Sequence, residues 1–160
     1  ESSLGKWSQY YFTLHCIKSN IDETTSSSQP TQLSIDPKSM AKLKILLVED
    51  DPTSTFLLKE FTASYCKDLV HTSNGLEAVS IFKKHNDFDL VLMDIQLPGQ
   101  DGYNAIREIR KTNPKVLIIA QTAYGLAGDK EKAIEAGSND YLAKPISGLK
   151  LMQCVVKHLT

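Results

Sequence analysis

The stretch VLMDIQLPGQDG, Val91 to Gly102, ends an apolar run on a carboxylate and then breaks into a Pro/Gly loop. Val91-Leu92-Met93 has the unbroken apolar character of a strand covered on both faces, and Pro98, Gly99 and Gly102 supply turn dihedrals. Alone, Asp94 reads as a residue that finishes a strand and opens a turn, because Asp bonds readily to nearby backbone. Its company elsewhere in the chain changes that reading.

On either side of this stretch, apolar runs alternate with amphipathic segments from about Ala41 onward. Lys44 to Val48 predicts a strand that stops at Glu49-Asp50-Asp51-Pro52. Phe56, Leu57, Phe61 and Tyr65 follow at helical spacing. Leu69 to Thr72 is a weaker second strand, Gly75 to about His85 a second helix, and Phe88 to Met93 the third strand. Asp101 can cap a helix carrying Tyr103, Ile106 and Ile109 that ends before Asn113-Pro114; the Asp101-Gly102 pair reads as a cap and turn with no chemical role. Val116 to Ala120 is a fourth strand and about Ala127 to Ala136 a helix stopped by Gly137. Asp140 to Ala143 is a short fifth strand. Ile146 to Leu159 closes the pattern as a helix with Leu149, Met152, Val155, Val156 and Leu159 on its apolar side. Repeated β-then-α units with strands this apolar predict an α/β fold, a parallel sheet between layers of helices.

The totals are those of a globular domain with an appendage: 160 residues, 41% hydrophobic, 23% charged, net charge −1. Nothing in that balance points to nucleic acid or an anionic membrane surface. The 3 cysteines, Cys16, Cys66 and Cys154, are widely spaced and form no CxxC, which disfavours a disulfide framework and a zinc site and favours a cytoplasmic setting. No apolar run approaches the roughly 18 residues of a membrane helix, and the first residues do not read as a signal peptide. This segment is expected to make no membrane contact, although a longer parent could be anchored elsewhere.

Three zones differ in composition. Residues 1–17, with Trp7, Tyr10, Tyr11, Phe12 and Leu14, read as one strand after the turn-prone Leu4-Gly5-Lys6. Residues 18–41, rich in Ser and Thr with two prolines, read as a linker, and 42–160 as the folded domain.

In open sheets of this kind ligands sit beyond the carboxyl ends of the strands, where Glu49, Asp50, Asp94, Thr122 and Lys144 all fall. If the first and third strands are neighbours, their carboxylates converge. Two like charges about 4 Å apart repel by roughly 1 kcal/mol in water and about 4 at an effective dielectric near 20, so the cluster needs a cation. Oxygen-only donors suit Mg2+, with the Gln96 backbone carbonyl as a further candidate. Lys144 could reach an anion bound beside Asp94, and Thr122 could place a hydroxyl at the same focus. This set makes chemical sense around a phosphorylated carboxylate, with catalysis by positioning and electrostatics.

Glu49-Asp50 after the first strand, MDIQLPGQDG (93–102), QTA (121–123) and DYLAKP (140–145), in that order, closely resemble receiver domains of two-component response regulators. The resemblance covers about residues 42 to 160 and implies a flavodoxin-like (βα)5 doubly wound sheet of strand order 2-1-3-4-5. It implies that Asp94 accepts a phosphoryl group from phosphohistidine and that Asp50, Asp94 and the Gln96 carbonyl bind Mg2+, with Glu49 acting partly through water. Lys144 would contact the phosphoryl group, Thr122 and Tyr141 would be the switch pair, and Gln96 and Tyr124 would tune phosphoryl lifetime. Glu49 stands where many members have aspartate.

ESSLGKWSQYYFTLHC, residues 1–16, resembles the last hairpin of a histidine-kinase ATP-binding domain, with Trp7 where glycine is usual. The two resemblances together imply the C-terminal piece of a hybrid sensor kinase. Lacking the phosphorylatable-histidine region and nucleotide boxes, the chain is not expected to be a kinase itself; the only chemistry implied is its own Asp phosphorylation and dephosphorylation. The implied partner is a histidine-kinase dimerisation domain or a histidine phosphotransfer protein, with no direct nucleic acid. The surface of the fourth helix, fifth strand and fifth helix is the expected output and a possible dimer face.

Other classes compete. A haloacid-dehalogenase-type phosphatase would place a second Asp where Gln96 stands and its acidic pair last in the chain. A flavodoxin-type FMN carrier would need a hydroxyl- and Gly-rich loop in place of Glu49-Asp50-Asp51. The receiver of a DNA-binding regulator, or a receiver-like module that binds without phosphorylation, remains an alternative. Asp51 reads as a helix N-terminal acid. His15, His71, His85 and His158 pair with no Cys or carboxylate motif and read as surface or packing residues.

Overall fold

Along β3 (Leu43–Val48) successive side chains leave on opposite faces, and both faces are buried. Leu43, Ile45 and Leu47 enter one core with Leu58, Leu90, Leu92, Leu117, Ile119, Leu151 and Val155. Leu46 and Val48 enter the other with Val91, Met93, Phe82, Ile106, Ile109 and Ile118. A strand buried on both faces needs apolar residues at every position, which is why the runs in this sequence are continuous and not alternating. Each fully buried Leu or Ile contributes about 1.5–3 kcal/mol relative to exposure. The computed structural model describes residues 2–3, 7–8, 42–98, 100–123 and 128–159.

The chain divides into two compact units, Glu1–Ser34 and Ile35–Thr160. In the first, β1 (Ser2–Ser3) pairs antiparallel with β2 (Trp7–Ser8), Ser3 opposite Trp7. The sequence predicts one strand carrying Trp7 to Leu14; Ser2–Ser3 is an additional short partner before it. The rest of that strand, and the linker at 18–41, lie outside the described residues.

In the second unit α1 (Pro52–Thr62), β4 (Cys66–Thr72), α2 (Gly75–Lys84) and β5 (Leu90–Asp94) follow β3. A small antiparallel pair, β6 (Gln96–Leu97) with β7 (Gln100–Asp101), leads into α3 (Gly102–Thr112). Then come β8 (Leu117–Thr122), α4 (Asp129–Ala136), β9 (Asp140–Ala143) and α5 (Gly148–Leu159). The sheet runs β4-β3-β5-β8-β9, parallel throughout, so the order is 2-1-3-4-5 as expected. The chain reverses direction across the sheet between β3 and β5, and their carboxyl ends form the crevice of a doubly wound fold.

Local chemistry sets the boundaries. Asp51, Asn74 and Asp101 cap α1, α2 and α3 by accepting N–H groups of the first turn. Gly137 ends α4 with φ 109°, a left-handed C-cap that L side chains resist. Arg110 of α3 ties that region down: Nε donates to the Gly137 carbonyl and Nη1 to the Val116 carbonyl, both at 2.6 Å.

Three expectations are corrected. On α1 the buried residues are Thr55, Leu58 and Thr62, whereas Phe56 is 63% exposed and Leu57 also faces outward. On α5 Leu149 is 66% exposed and the buried face is Leu151, Cys154 and Val155. Strand β4 starts at Cys66, earlier than expected, because Lys67 and Asp68 lie exposed on the edge strand and hide its pattern.

Candidate functional site

Strands β3 and β5 lie side by side, with Val48 opposite Met93, so the residues that follow each meet at one end of the sheet. Glu49 is fully buried there and Asp94 nearly so, while Asp50 is exposed. One carboxylate oxygen from each of Glu49, Asp50 and Asp94 lies within 4.8 Å of the others. From the opposite side, after β9, Lys144 brings Nζ to 2.6 Å from Asp94 Oδ2 and 2.7 Å from Glu49 Oε2. The Lys144 backbone N–H donates to the Thr122 carbonyl at 2.8 Å, which anchors the residue to β8.

Electrostatics follow from this packing. Burial raises the Glu49 carboxyl above the ordinary glutamate range; the hydrogen bond from Lys144 pulls it back and the Asp94 charge pushes it up again. Burial alone would depress the Lys144 ammonium, but its hydrogen bonds to Asp94 and Glu49 outweigh that and hold it above the ordinary lysine value. Lys144 thus stays charged, and two buried carboxyl groups share it.

Asp94 Oδ1 accepts the Gln96 N–H at 2.9 Å, leaving Oδ2 on the lysine side. The loop between is tightly built. A Cβ at Gly102 would stand 2.3 Å from the Asp94 carbonyl oxygen and 2.7 Å from Ile95 Cα. Gly102 is therefore more than the turn residue it was read as: only glycine lets α3 start against the backbone of Asp94.

The structure brings Glu49, Asp50, Asp94 and Lys144 into direct proximity. Thr122 is buried at the end of β8, and its Oγ1 donates to Asp129 Oδ2 of α4 at 3.5 Å. It borders an open cleft of about 480 Å3 with Gln96, Leu97, Tyr103, Asp129 and Lys132. Tyr141 is half-buried on the same side of the sheet, packed on the core beneath α4, with Lys130 Nζ 5.6 Å from its ring centre. Tyr124 lies outside the described residues. Asp51 caps α1 through Ser54 N–H, and its own N–H donates to Glu49 Oε1 at 3.2 Å.

Two partners escaped the sequence reading. Asp129 takes the Thr122 hydroxyl, and His71 Nε2 lies 3.0 Å from the Glu49 carbonyl oxygen. Neither carries a local signal, since each pairing depends on sheet order. His158, read as a surface or packing residue, also meets a carboxylate: its Nε2 lies 3.0 Å from Asp140 Oδ2.

The donor set fits a hard divalent ion: three carboxylates, no nitrogen or sulfur, one of them facing solvent. Among the described residues no helix is long and apolar enough to cross a membrane.

The family model described as the response regulator receiver domain matches residues 45–156. The chain is 36% identical over 154 residues to the autoinducer 2 sensor kinase/phosphatase LuxQ of Vibrio vulnificus, covering 94% of this chain and 17% of that protein. It is 35% identical over 126 residues to the sensor protein GacS of Pseudomonas syringae, covering 76% of this chain and 14% of that one. The chain thus spans less than a fifth of the length of these curated relatives. Among solved structures, the receiver domain of sensor histidine kinase PA1611 from Pseudomonas aeruginosa, with magnesium in its active-site cleft, is 38% identical with a TM-score of 0.67. That match covers 74% of this chain and 98% of that one. The phosphatase and flavin-carrier alternatives fall with these matches. The chain belongs to the response regulator receiver family, the phosphoacceptor domains of two-component phosphorelays.

Proposed function

We propose that Asp94 takes a phosphoryl group from a phosphohistidine donor and that the domain relays this event through its surface. The observation that carries the reading is Lys144 Nζ held between the buried carboxylates of Glu49 and Asp94 beside the exposed Asp50. In the transfer, a carboxylate oxygen of Asp94 forms the new P–O bond as the P–N bond breaks. The electron pair leaves with the imidazole nitrogen, which takes up a proton. Lys144, already at hydrogen-bond distance from Asp94, offsets charge on the phosphoryl oxygens.

Asp50, Asp94 and the Gln96 carbonyl would hold Mg2+, with Glu49 partly through water. Bound there, the ion neutralises phosphoryl charge and helps orient the group. Thr122 acts as the switch by leaving Asp129 for the phosphoryl group, and Tyr141 turns in response. That biases the surface of α4, β9 and α5, which is also the possible dimer face. Gln96 and Tyr124 tune how long the phosphoryl group survives.

We further propose that the chain is the receiver part of a hybrid sensor kinase acting in the cytoplasm. Residues 1–17 would be the end of the kinase ATP-binding domain, 18–41 a linker and 42–160 the receiver. Its donor would be a kinase dimerisation domain or a histidine phosphotransfer protein. Similarity to sensor kinases over most of the chain supports this origin.

Incubation with a radiolabelled, histidine-phosphorylated phosphotransfer domain tests the reading. The label should move to this chain in the presence of Mg2+, become labile to hydroxylamine as an acyl phosphate, and fail to move to Asp94→Asn. Label that stays on a donor competent toward another receiver would overturn it.

A further inference from the structure

Helix α5 carries Cys154 and His158 four residues apart, a spacing that stacks two side chains on one helical face. That face looks onto the start of β9, where Asp140 projects toward it. His158 Nε2 is 3.0 Å from Asp140 Oδ2, and Cys154 Sγ lies beside the same carboxylate. One donor atom from each residue, a sulfur, an imidazole nitrogen and a carboxylate oxygen, lies within 4.8 Å of the other two. Cys154 is buried, while Asp140 and His158 are half-buried, so an ion could reach the cluster from solvent.

We propose that Asp140, Cys154 and His158 form a three-ligand site for a divalent transition-metal ion of the zinc class, distinct from the oxygen-only set at Glu49, Asp50 and Asp94. The donors decide the class. Thiolate and imidazole together favour zinc over magnesium or calcium, which take oxygen. Zinc–ligand bonds of about 2.0–2.3 Å in a tetrahedron put donor atoms roughly 3.3–3.8 Å apart. The cluster therefore needs only small side-chain adjustments to close on an ion. Three protein ligands leave the fourth position to water.

Two neighbours bear on the site. Lys157 Nζ stands 2.8 Å from Asp140 Oδ2 and would yield that oxygen to the metal; the lysine is largely exposed, so little is lost. The Tyr141 N–H donates to Asp140 Oδ1 at 2.9 Å, which leaves Oδ2 as the ligand. Burial and the adjacent carboxylate push the Cys154 thiol up to about 12, so metal binding there must expel the thiol proton. A bound ion would tie α5 to the first residue of β9, an anchor that the ion pair alone makes with one histidine and one lysine.

The test is titration of the metal-free full chain with Co2+ while Mg2+ is present in excess. The expected result is a thiolate-to-cobalt charge-transfer band with visible d–d absorption, saturating at equimolar Co2+ and bleached by Zn2+. His158→Gln should weaken binding at least about tenfold and Cys154→Ser should abolish the band, while Asp94→Asn leaves it unchanged. Far-UV circular dichroism of each variant checks folding, and Zn2+ should raise the melting temperature of the parent more than that of His158→Gln. The proposal is overturned if no thiolate band forms. It is equally overturned if the band survives Cys154→Ser, which would assign it to Cys16 or Cys66, or if it disappears with Asp94→Asn.

Discussion

Replacing Lys144 by methionine probes the balance of charge at the sheet end. The substitution keeps most of the aliphatic stem and removes the ammonium that lies 2.6 Å from Asp94 and 2.7 Å from Glu49. Two carboxylates with oxygens within 4.8 Å of one another are then left without their shared cation. At an effective dielectric near 20 that proximity gives a repulsion of roughly 3.5 kcal/mol or more. Glu49 can escape by taking a proton, which at pH 7 costs an ordinary glutamate about 3.7 kcal/mol and less for one already raised by burial. The smaller quantity governs, so a loss of about 2–3 kcal/mol is expected without Mg2+, or roughly 10 °C in melting temperature for a domain of this size. Urea unfolding followed by far-UV circular dichroism measures it. Millimolar Mg2+ should stabilise Lys144→Met more than the parent, and adding Glu49→Gln to Lys144→Met should recover most of the loss. A Lys144→Met protein within about 0.5 kcal/mol of the parent without Mg2+ would refute the claim that the lysine offsets buried charge.

Further outcomes follow from single contacts. Gly102→Ala drives a methyl group into the backbone of Asp94 and Ile95, so stability should fall by about 1–3 kcal/mol, and phosphorylation by acetyl phosphate should slow as Asp94 shifts. Arg110→Ala leaves the Gly137 and Val116 carbonyls without their charged donor and should cost about 3 kcal/mol in denaturant unfolding, with Arg110→Lys recovering only part. Tyr65 is fully buried and its hydroxyl has no partner among the described residues, so Tyr65→Phe should be neutral or stabilising by about 1 kcal/mol. Burial also raises the Tyr65 phenol above its ordinary value. The folded state therefore holds that proton longer than the unfolded chain, and the Tyr65 contribution to stability is complete below about pH 10 and lost above it. Tyr65→Phe should flatten the alkaline limb of a melting-temperature profile.

The sheet was legible because its central strands are covered on both faces. Residues 45–48, 90–93 and 117–120 are unbroken apolar runs, which a parallel sheet covered on both faces by helices buries throughout. Glu49, Asp50 and Asp94 were legible because they stand at the end of such runs, and Lys144 because it directly follows the short fifth strand and precedes Pro145. Helix faces were harder. Phe56, Leu57 and Leu149 look like core residues to a periodicity argument, yet smaller residues, Thr55 and Thr62, take the inward positions on α1. The Lys67-Asp68 pair hid the start of β4, because an edge strand can carry charge on its open side. Partners distant in sequence carried no signal: Asp129 beside Thr122, His71 beside Glu49 and Asp140 beside His158 meet only after the sheet has set its order. Gly102 looked like any turn glycine until the Asp94 carbonyl was found within 2.3 Å of where its Cβ would stand.

The most direct measurement is peptide mass spectrometry after incubation with acetyl phosphate, with and without Mg2+, beside Asp94→Asn. A gain of one phosphoryl group per chain that requires Mg2+, maps to Asp94 and vanishes in Asp94→Asn is the predicted result. No gain under conditions that modify another receiver, or a phosphoryl group on a different residue in the unsubstituted chain, would contradict Asp94 as the acceptor.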